Sequence, residues 1–129
     1  MPDQPHPHPL VALIRSFGHA GAGLRYLFRS QRNARIHLLL TLLAVGLALW
    51  LGLAAVEWAV LSLTIGFVLA CEALNTAIEA ALDRISVDHH PLAKVAKDTA
   101  AGAVLVAAIT ALAVAAFLFL PRLLLRLGV

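Results

Sequence analysis

Residues 36–53 read IHLLLTLLAVGLALWLGL, eighteen positions of which His37 and Thr41 alone are polar. A helix needs roughly twenty such residues to cross the hydrocarbon core of a bilayer, so this stretch reads as a first membrane span. The composition agrees, with 61% apolar residues and a mean hydropathy of +0.89. A chain of 129 residues has too much surface for its volume to hide that much apolar material from water. Lipid is therefore the expected solvent, and the length allows one domain.

On the N-terminal side, Arg15, Arg25, Arg29, Arg32 and Arg35 all precede the span. Beside a hydrophobic segment such a cluster contacts anionic head groups and sets orientation, so no nucleic-acid partner is expected. Leu10, Leu13, Ile14, Phe17, Leu24 and Leu27 recur at helical spacing among these arginines. That pattern predicts an amphipathic surface helix over residues 10–30, with Gly18, Gly21 and Gly23 predicting a break or a close helix contact. Residues 1–9, where Pro and His alternate, read as a disordered lead-in rather than a metal site. They also lack the basic and then apolar pattern of a secretory signal. Residues 10–129 read as a single integral-membrane domain.

On the other side, residues 52–57 make a short turn flanked by Trp50 and Trp58, where an interfacial aromatic belt would put them. A second apolar run begins near Val56 and continues as helix to Ile85. Pro91 suits the first turn of a third helix, expected from about Leu92 to Leu120 and closed by Pro121, with Arg122 and Arg126 at the far surface. The N-terminal arginines, Arg84, Lys94 and Lys97 then fall on one side of the membrane. The N-terminus and second connection are thus expected in the cytoplasm and the C-terminus outside. The expected fold is an all-α membrane protein, one surface helix plus three transmembrane helices. Cys71, the single cysteine, reads as a small buried hydrophobe.

The chemistry concentrates in residues 72–84, EALNTAIEAALDR. At about 100° per residue, Asn75, Thr76, Glu79 and Asp83 lie within about 60° of Glu72, forming one polar stripe on an otherwise apolar helix. An ionisable residue at the centre of a span costs roughly 2.5 to 3.5 kcal/mol, so this face points at other helices and is a functional site by default. Asn75 or Thr76 alone would read as glue between membrane helices; carboxylates sharing their stripe are harder to explain so. Residues 90–104, HPLAKVAKDTAAGAV, supply a second set. Here Lys94, Lys97, Asp98 and Ala101 share a face, and Lys94 reads as a snorkelling side chain. Carboxylates for Mg²⁺, a lysine for phosphate and a carboxylate placed as a base are the components of phosphoryl transfer. No Gly-x-x-x-x-Gly-Lys-Ser/Thr loop is present, which excludes a P-loop enzyme.

ECALNTAIEAALDRI followed by HHPLAKVAKDTAAGAVL resembles the small bacterial integral-membrane lipid kinases, the diacylglycerol kinase and undecaprenol kinase family. The resemblance runs without a gap from about residue 17 to 112. It implies a homotrimer that transfers the ATP γ-phosphoryl group to a membrane lipid alcohol at the cytoplasmic face, with Mg²⁺ as cofactor and ATP as co-substrate. By motif, Glu72 resembles the general base and Asn75 its orienting neighbour, while Glu79 resembles a metal ligand that also meets the nucleotide. Lys97 and Asp98 match nucleotide-holding positions, and Asp88 and His90 lie where the family approaches ATP. Arg15 and His19 are expected beside the nucleotide, Arg15 standing one turn beyond Ala12, which occupies the place of a family arginine. Arg25, Arg32, Arg35 and Ala101 are expected against the lipid. A second metal-ligating glutamate of the family reads Gln31 here, which offers an oxygen but no charge. RNARIHL and HHPLAK resemble the undecaprenol kinase branch, so undecaprenol is the favoured acceptor and diacylglycerol the next.

Two other classes compete. A proton or cation conductor would line a path with the buried carboxylates, but the first span and the outer half of the third offer no matching polar residues. A non-catalytic membrane protein would need none of the polar stripe, and Gln31 is the one feature that favours it.

Overall fold

The computed structural model describes residues 8–85 and 90–128. Among the described residues there are four helices and no strand: α1 (Pro9–Ser30), α2 (Arg32–Leu51), α3 (Ala55–Ile85) and α4 (Pro91–Leu127). The last three are long and apolar enough to cross a membrane. Asp88 and most of residues 1–9 lie outside the described residues.

The junctions are built by local chemistry. Gln31, extended at φ −101° and ψ 120°, separates α1 from α2, and its backbone N–H still donates to Leu27 O at 2.9 Å. α2 ends on Gly52 at φ 65°, the left-handed conformation that glycine adopts without strain. There Gly52 N donates to Leu49 O and Leu53 N to Ala48 O, the paired bonds of a Schellman motif, with Leu53 buried against Ala48. Glu57, in the first turn of α3, accepts from Ala54 N at 2.6 Å, the carboxylate half of a capping box. His90 caps α4, its Nδ1 accepting from Leu92 N at 3.2 Å ahead of Pro91.

α3 and α4 form an antiparallel pair, tied at one end by Asp83 and Lys97 and at the other by Glu57 and Arg122. α2 packs on both, and α1 meets α2 and α3 near its C-terminal end, where Leu27 is buried. A small cluster of Ala48, Leu53, Leu61 and Phe119 fills the end near the α2–α3 turn. Much of the remaining apolar surface is open, including Leu63 at 74% and Phe117 at 82% exposure, as suits helices solvated by lipid or by further copies.

Two expectations are corrected, and the helix carrying the first span extends beyond it. α1 runs unbroken through Gly18, Gly21 and Gly23, and among the described residues nothing lies within 4 Å of a Cβ placed on any of them. Three isolated glycines cost helix stability but forbid no helical angle. α2 begins at Arg32, four residues before the apolar span read from the sequence, because nothing after Gln31 breaks the helix and the arginines join its first turns. α4 passes through Pro121 and ends on Gly128 at φ 73°. A proline removes one N–H, and the next turn is held from outside. The Arg122 guanidinium donates to both Glu57 carboxylate oxygens and to the carbonyls of Leu51 and Gly52. Arg126 donates to Trp50 O and lies 4.7 Å over the Trp50 ring. The two arginines therefore clasp the α2–α3 turn as well as marking a surface.

Candidate functional site

The polar stripe of α3 turns inward at its upper end. Glu72 is 2% exposed, against His37 of α2, and Thr76 is 5% exposed, whereas Asn75 and Glu79 are half-buried and Asp83 is exposed. Counting about 1.5 Å per residue from Glu57 at the opposite surface, Glu72 lies about 22 Å along the helix and Glu79 about 33 Å. A hydrocarbon core of about 30 Å entered near Glu57 would enclose Glu72 and end near Glu79.

Three buried oxygens in this stretch have no hydrogen-bond partner among the described residues: Glu72 Oε1, Asn75 Oδ1 and Thr76 Oγ1. Each such group carries a penalty of about 1 to 3 kcal/mol, so a run of three is a concentrated demand for donors. His37 of α2 places Nε2 3.3 Å from Glu72 Oε1, within ion-pair distance but without hydrogen-bond alignment. Sequence reasoning misses His37 as a site residue; its one signal is that it is one of two polar residues in its span.

Glu79 is held by amides from two sides. Gln31 Nε2 donates to its Oε2 at 3.1 Å and Asn75 Nδ2 to its Oε1 at 3.1 Å. The helix junction thus brings Gln31 onto Glu79 across 48 positions of sequence. Among the described residues no three His, Cys, Asp or Glu side chains gather closely enough to cage a metal. One carboxylate with amide oxygens beside it, one of them the unpartnered Asn75 Oδ1, nonetheless suits Mg²⁺, which keeps several waters and takes most of its remaining ligands from phosphate.

Below Glu79 the charges pair. Lys97 Nζ meets Asp83 Oδ1 across the α3–α4 interface, and Lys94 meets Asp98 one turn apart on α4. Both pairs are largely open to solvent, and such pairs contribute about 0 to 1 kcal/mol, so either cation can turn to an incoming phosphate at little cost. Lys94, expected to snorkel, pairs with Asp98, and Ala101 is exposed on α4.

The residues on and beside α1 stand apart. Arg15 and His19 are exposed, and among the described residues neither bonds to the α3–α4 site. Because α1 is unbroken, they lie about 24 Å and about 18 Å along it from Gln31. Arg25, Arg32 and Arg35 are exposed around the α1–α2 junction.

On the membrane side of His37 a crevice of about 260 Å³ runs between α2, α3 and α4, lined by Leu40, Ala44, Val68, Ala108 and Leu112 among others. Apart from His37, Thr41 and Thr64, whose hydroxyl is bonded to Val60 O, its walls are apolar.

Residues 18–119 match the family described as prokaryotic diacylglycerol kinase. The chain is 39% identical over 123 residues to an undecaprenol kinase of Bacillus subtilis, covering 95% of this chain and 100% of that one. It is 48% identical over 113 residues to a diacylglycerol kinase of Synechocystis sp., covering 87% of this chain and 65% of the relative. It is 37% identical over 99 residues to a diacylglycerol kinase of Escherichia coli, covering 77% and 81%.

Proposed function

The chain belongs to the prokaryotic diacylglycerol kinase family, and we propose that it transfers the γ-phosphoryl group of ATP to the hydroxyl of undecaprenol, with diacylglycerol the next candidate. It is an ATP-dependent lipid kinase and a multi-pass protein of the cell membrane. The observation that carries the assignment of roles is the depth difference along α3. Glu72, with an oxygen that has no hydrogen-bond partner among the described residues, is buried between helices, and a second, amide-held carboxylate lies about two turns farther along α3 at Glu79.

In this reading the lipid chain lies along the apolar crevice and its hydroxyl reaches Glu72. Glu72 takes the hydroxyl proton while the lipid oxygen bonds to the γ-phosphorus; the bond from phosphorus to the ADP oxygen breaks, and ADP leaves with that electron pair. Lys97 turns from Asp83 to the phosphates, with Asp98 beside it, and His90 borders the nucleotide at the start of α4. Asn75, bonded to Glu79, fixes the spacing between the two carboxylates. Glu79, with the oxygen of Gln31, would hold Mg²⁺, which supplies neutralisation of the phosphate charge when bound.

α1, with Phe17 and Ile14 exposed, rests on the membrane surface, and the N-terminus and the α3–α4 connection face the cytoplasm. If Arg15 and His19 serve the nucleotide, they do so in a neighbouring copy, since their own site lies too far down the same straight helix. That need supports an oligomer with shared sites, and the family resemblance implies that it is a homotrimer.

The test is turnover of labelled ATP by purified protein in detergent, with undecaprenol and diacylglycerol in parallel. Glu72→Gln should lower kcat by about 10² to 10⁴, while stabilisation against heat by ATP persists. Full turnover by Glu72→Gln would overturn the assignment of the base, and a preference for diacylglycerol would overturn the choice of acceptor.

A further inference from the structure

A histidine inside a hydrocarbon span is an uncommon residue, and among the described residues His37 is the one side chain from another helix within ion-pair distance of Glu72. The other polar neighbours are committed or unaligned. Asn75 gives its amide to Glu79, and Thr76 Oγ1 has no partner among the described residues. Glu72 is therefore a buried carboxylate that its own helix does not orient. His37, with its side chain 17% exposed, stands between that carboxylate and the head of the apolar crevice.

We propose that His37 is a positioning residue for Glu72, donating from Nε2 to hold the carboxylate in the orientation that the acceptor hydroxyl meets. The inference rests on the reading of Glu72 as base. The separation of 3.3 Å without alignment suits a contact that tightens when substrate arrives, as catalytic hydrogen bonds commonly do. The imidazole keeps its proton throughout: the acceptor proton moves to Glu72, the oxygen–phosphorus bond forms and ADP departs, with His37 fixing only where Glu72 points. An ordinary helix-to-helix polar contact would instead act on stability and leave turnover alone.

The distinction sets the experiment. His37→Leu removes the donor at similar volume, while His37→Gln can place an amide N–H near where Nε2 stands. Both are compared with wild type and Glu72→Gln in mixed micelles, reading kcat, KM for ATP, KM for lipid, and ATP-dependent thermal stabilisation. His37→Leu should lower kcat by about 10- to 100-fold with KM for ATP within about twofold, the pattern of an interaction made in the transition state. His37→Gln should recover kcat to within about threefold of wild type. Wild-type kcat in His37→Leu overturns the proposal, as does a His37→Gln variant that folds, binds ATP and remains as slow as His37→Leu. Should His37→Leu fail to fold, kcat of His37→Gln decides alone: near wild type supports the role, and a loss of about 10-fold refutes it. Activity surviving in Glu72→Gln would sink the base reading and this inference together; an inactive Glu72→Gln beside an active His37→Leu sinks this inference only.

Discussion

Replacing Gln31 by glutamate puts a second carboxylate where an amide now donates to Glu79 at 3.1 Å. Two effects act on the metal-free protein in the same direction. A hydrogen bond to a charged acceptor is lost, worth about 1.5 to 3 kcal/mol where it is well made. Two negative charges about 3 Å apart also repel by about 1 kcal/mol at the dielectric of water and about 5 kcal/mol at an effective value near 20. Both side chains are half-buried, so the repulsion falls between these limits, less what the introduced carboxylate recovers by rotating away. A divalent cation reverses the sign, because it binds the paired carboxylates more tightly than one carboxylate and an amide. Gln31→Glu should therefore melt several degrees below wild type in EDTA and regain stability as Mg²⁺ is titrated without nucleotide. Its midpoint for Mg²⁺ should be at least roughly tenfold lower than that of wild type, the equivalent of about 1.4 kcal/mol. Equal melting in EDTA together with an unchanged Mg²⁺ response would refute both the contact and the proposed metal role of Glu79.

Other expectations follow from single contacts. Lys97→Met should raise KM for ATP with a smaller effect on KM for lipid, and it should cost little stability because its ion pair with Asp83 is largely exposed; ATP-dependent thermal shift and steady-state kinetics check both. Thr76→Val removes a buried hydroxyl that has no partner among the described residues and should leave the melting temperature unchanged or raised; a drop would mean that the hydroxyl is bonded after all. Arg122→Met should lower the melting temperature by removing donors to Glu57, Leu51 and Gly52, and adding Glu57→Gln should cost little more, which a double-mutant cycle reads directly.

The spans were legible because lipid imposes a simple demand: long apolar runs with charges at their ends. The direction of the α3 stripe was legible for the same reason, since helical geometry alone puts Glu72, Thr76 and Glu79 on one face. What escaped was decided across the sequence. His37 and Glu72 are brought together by the packing of α2 on α3, and nothing in the local pattern around either residue names the other. The choice of Asp83 rather than Asp98 as partner for Lys97 likewise depends on how α3 and α4 meet at their shared polar end. Pro121 misled because local rules read it as a stop, whereas Arg122 and Arg126 anchor the following turn to carbonyls about 70 positions earlier.

The placing of the two carboxylates on one helix bears on how a small membrane protein can join a water-soluble nucleotide to a lipid. The two substrates approach from different phases, and Glu72 and Glu79 are about 10 Å apart along the axis, about two turns. Moving the base one turn back toward Glu57 would keep it on the same face but bury it farther from Lys97 and the water. Moving it one turn the other way would bring it to Thr76, nearer the surface and farther from His37 and the crevice. A double variant such as Glu72→Ala with Thr76→Glu should therefore fold and bind ATP yet fail to turn over lipid. Recovery of lipid phosphorylation in that variant would show that depth along α3 does not govern the reaction, and the division of labour between Glu72 and Glu79 would have to be abandoned.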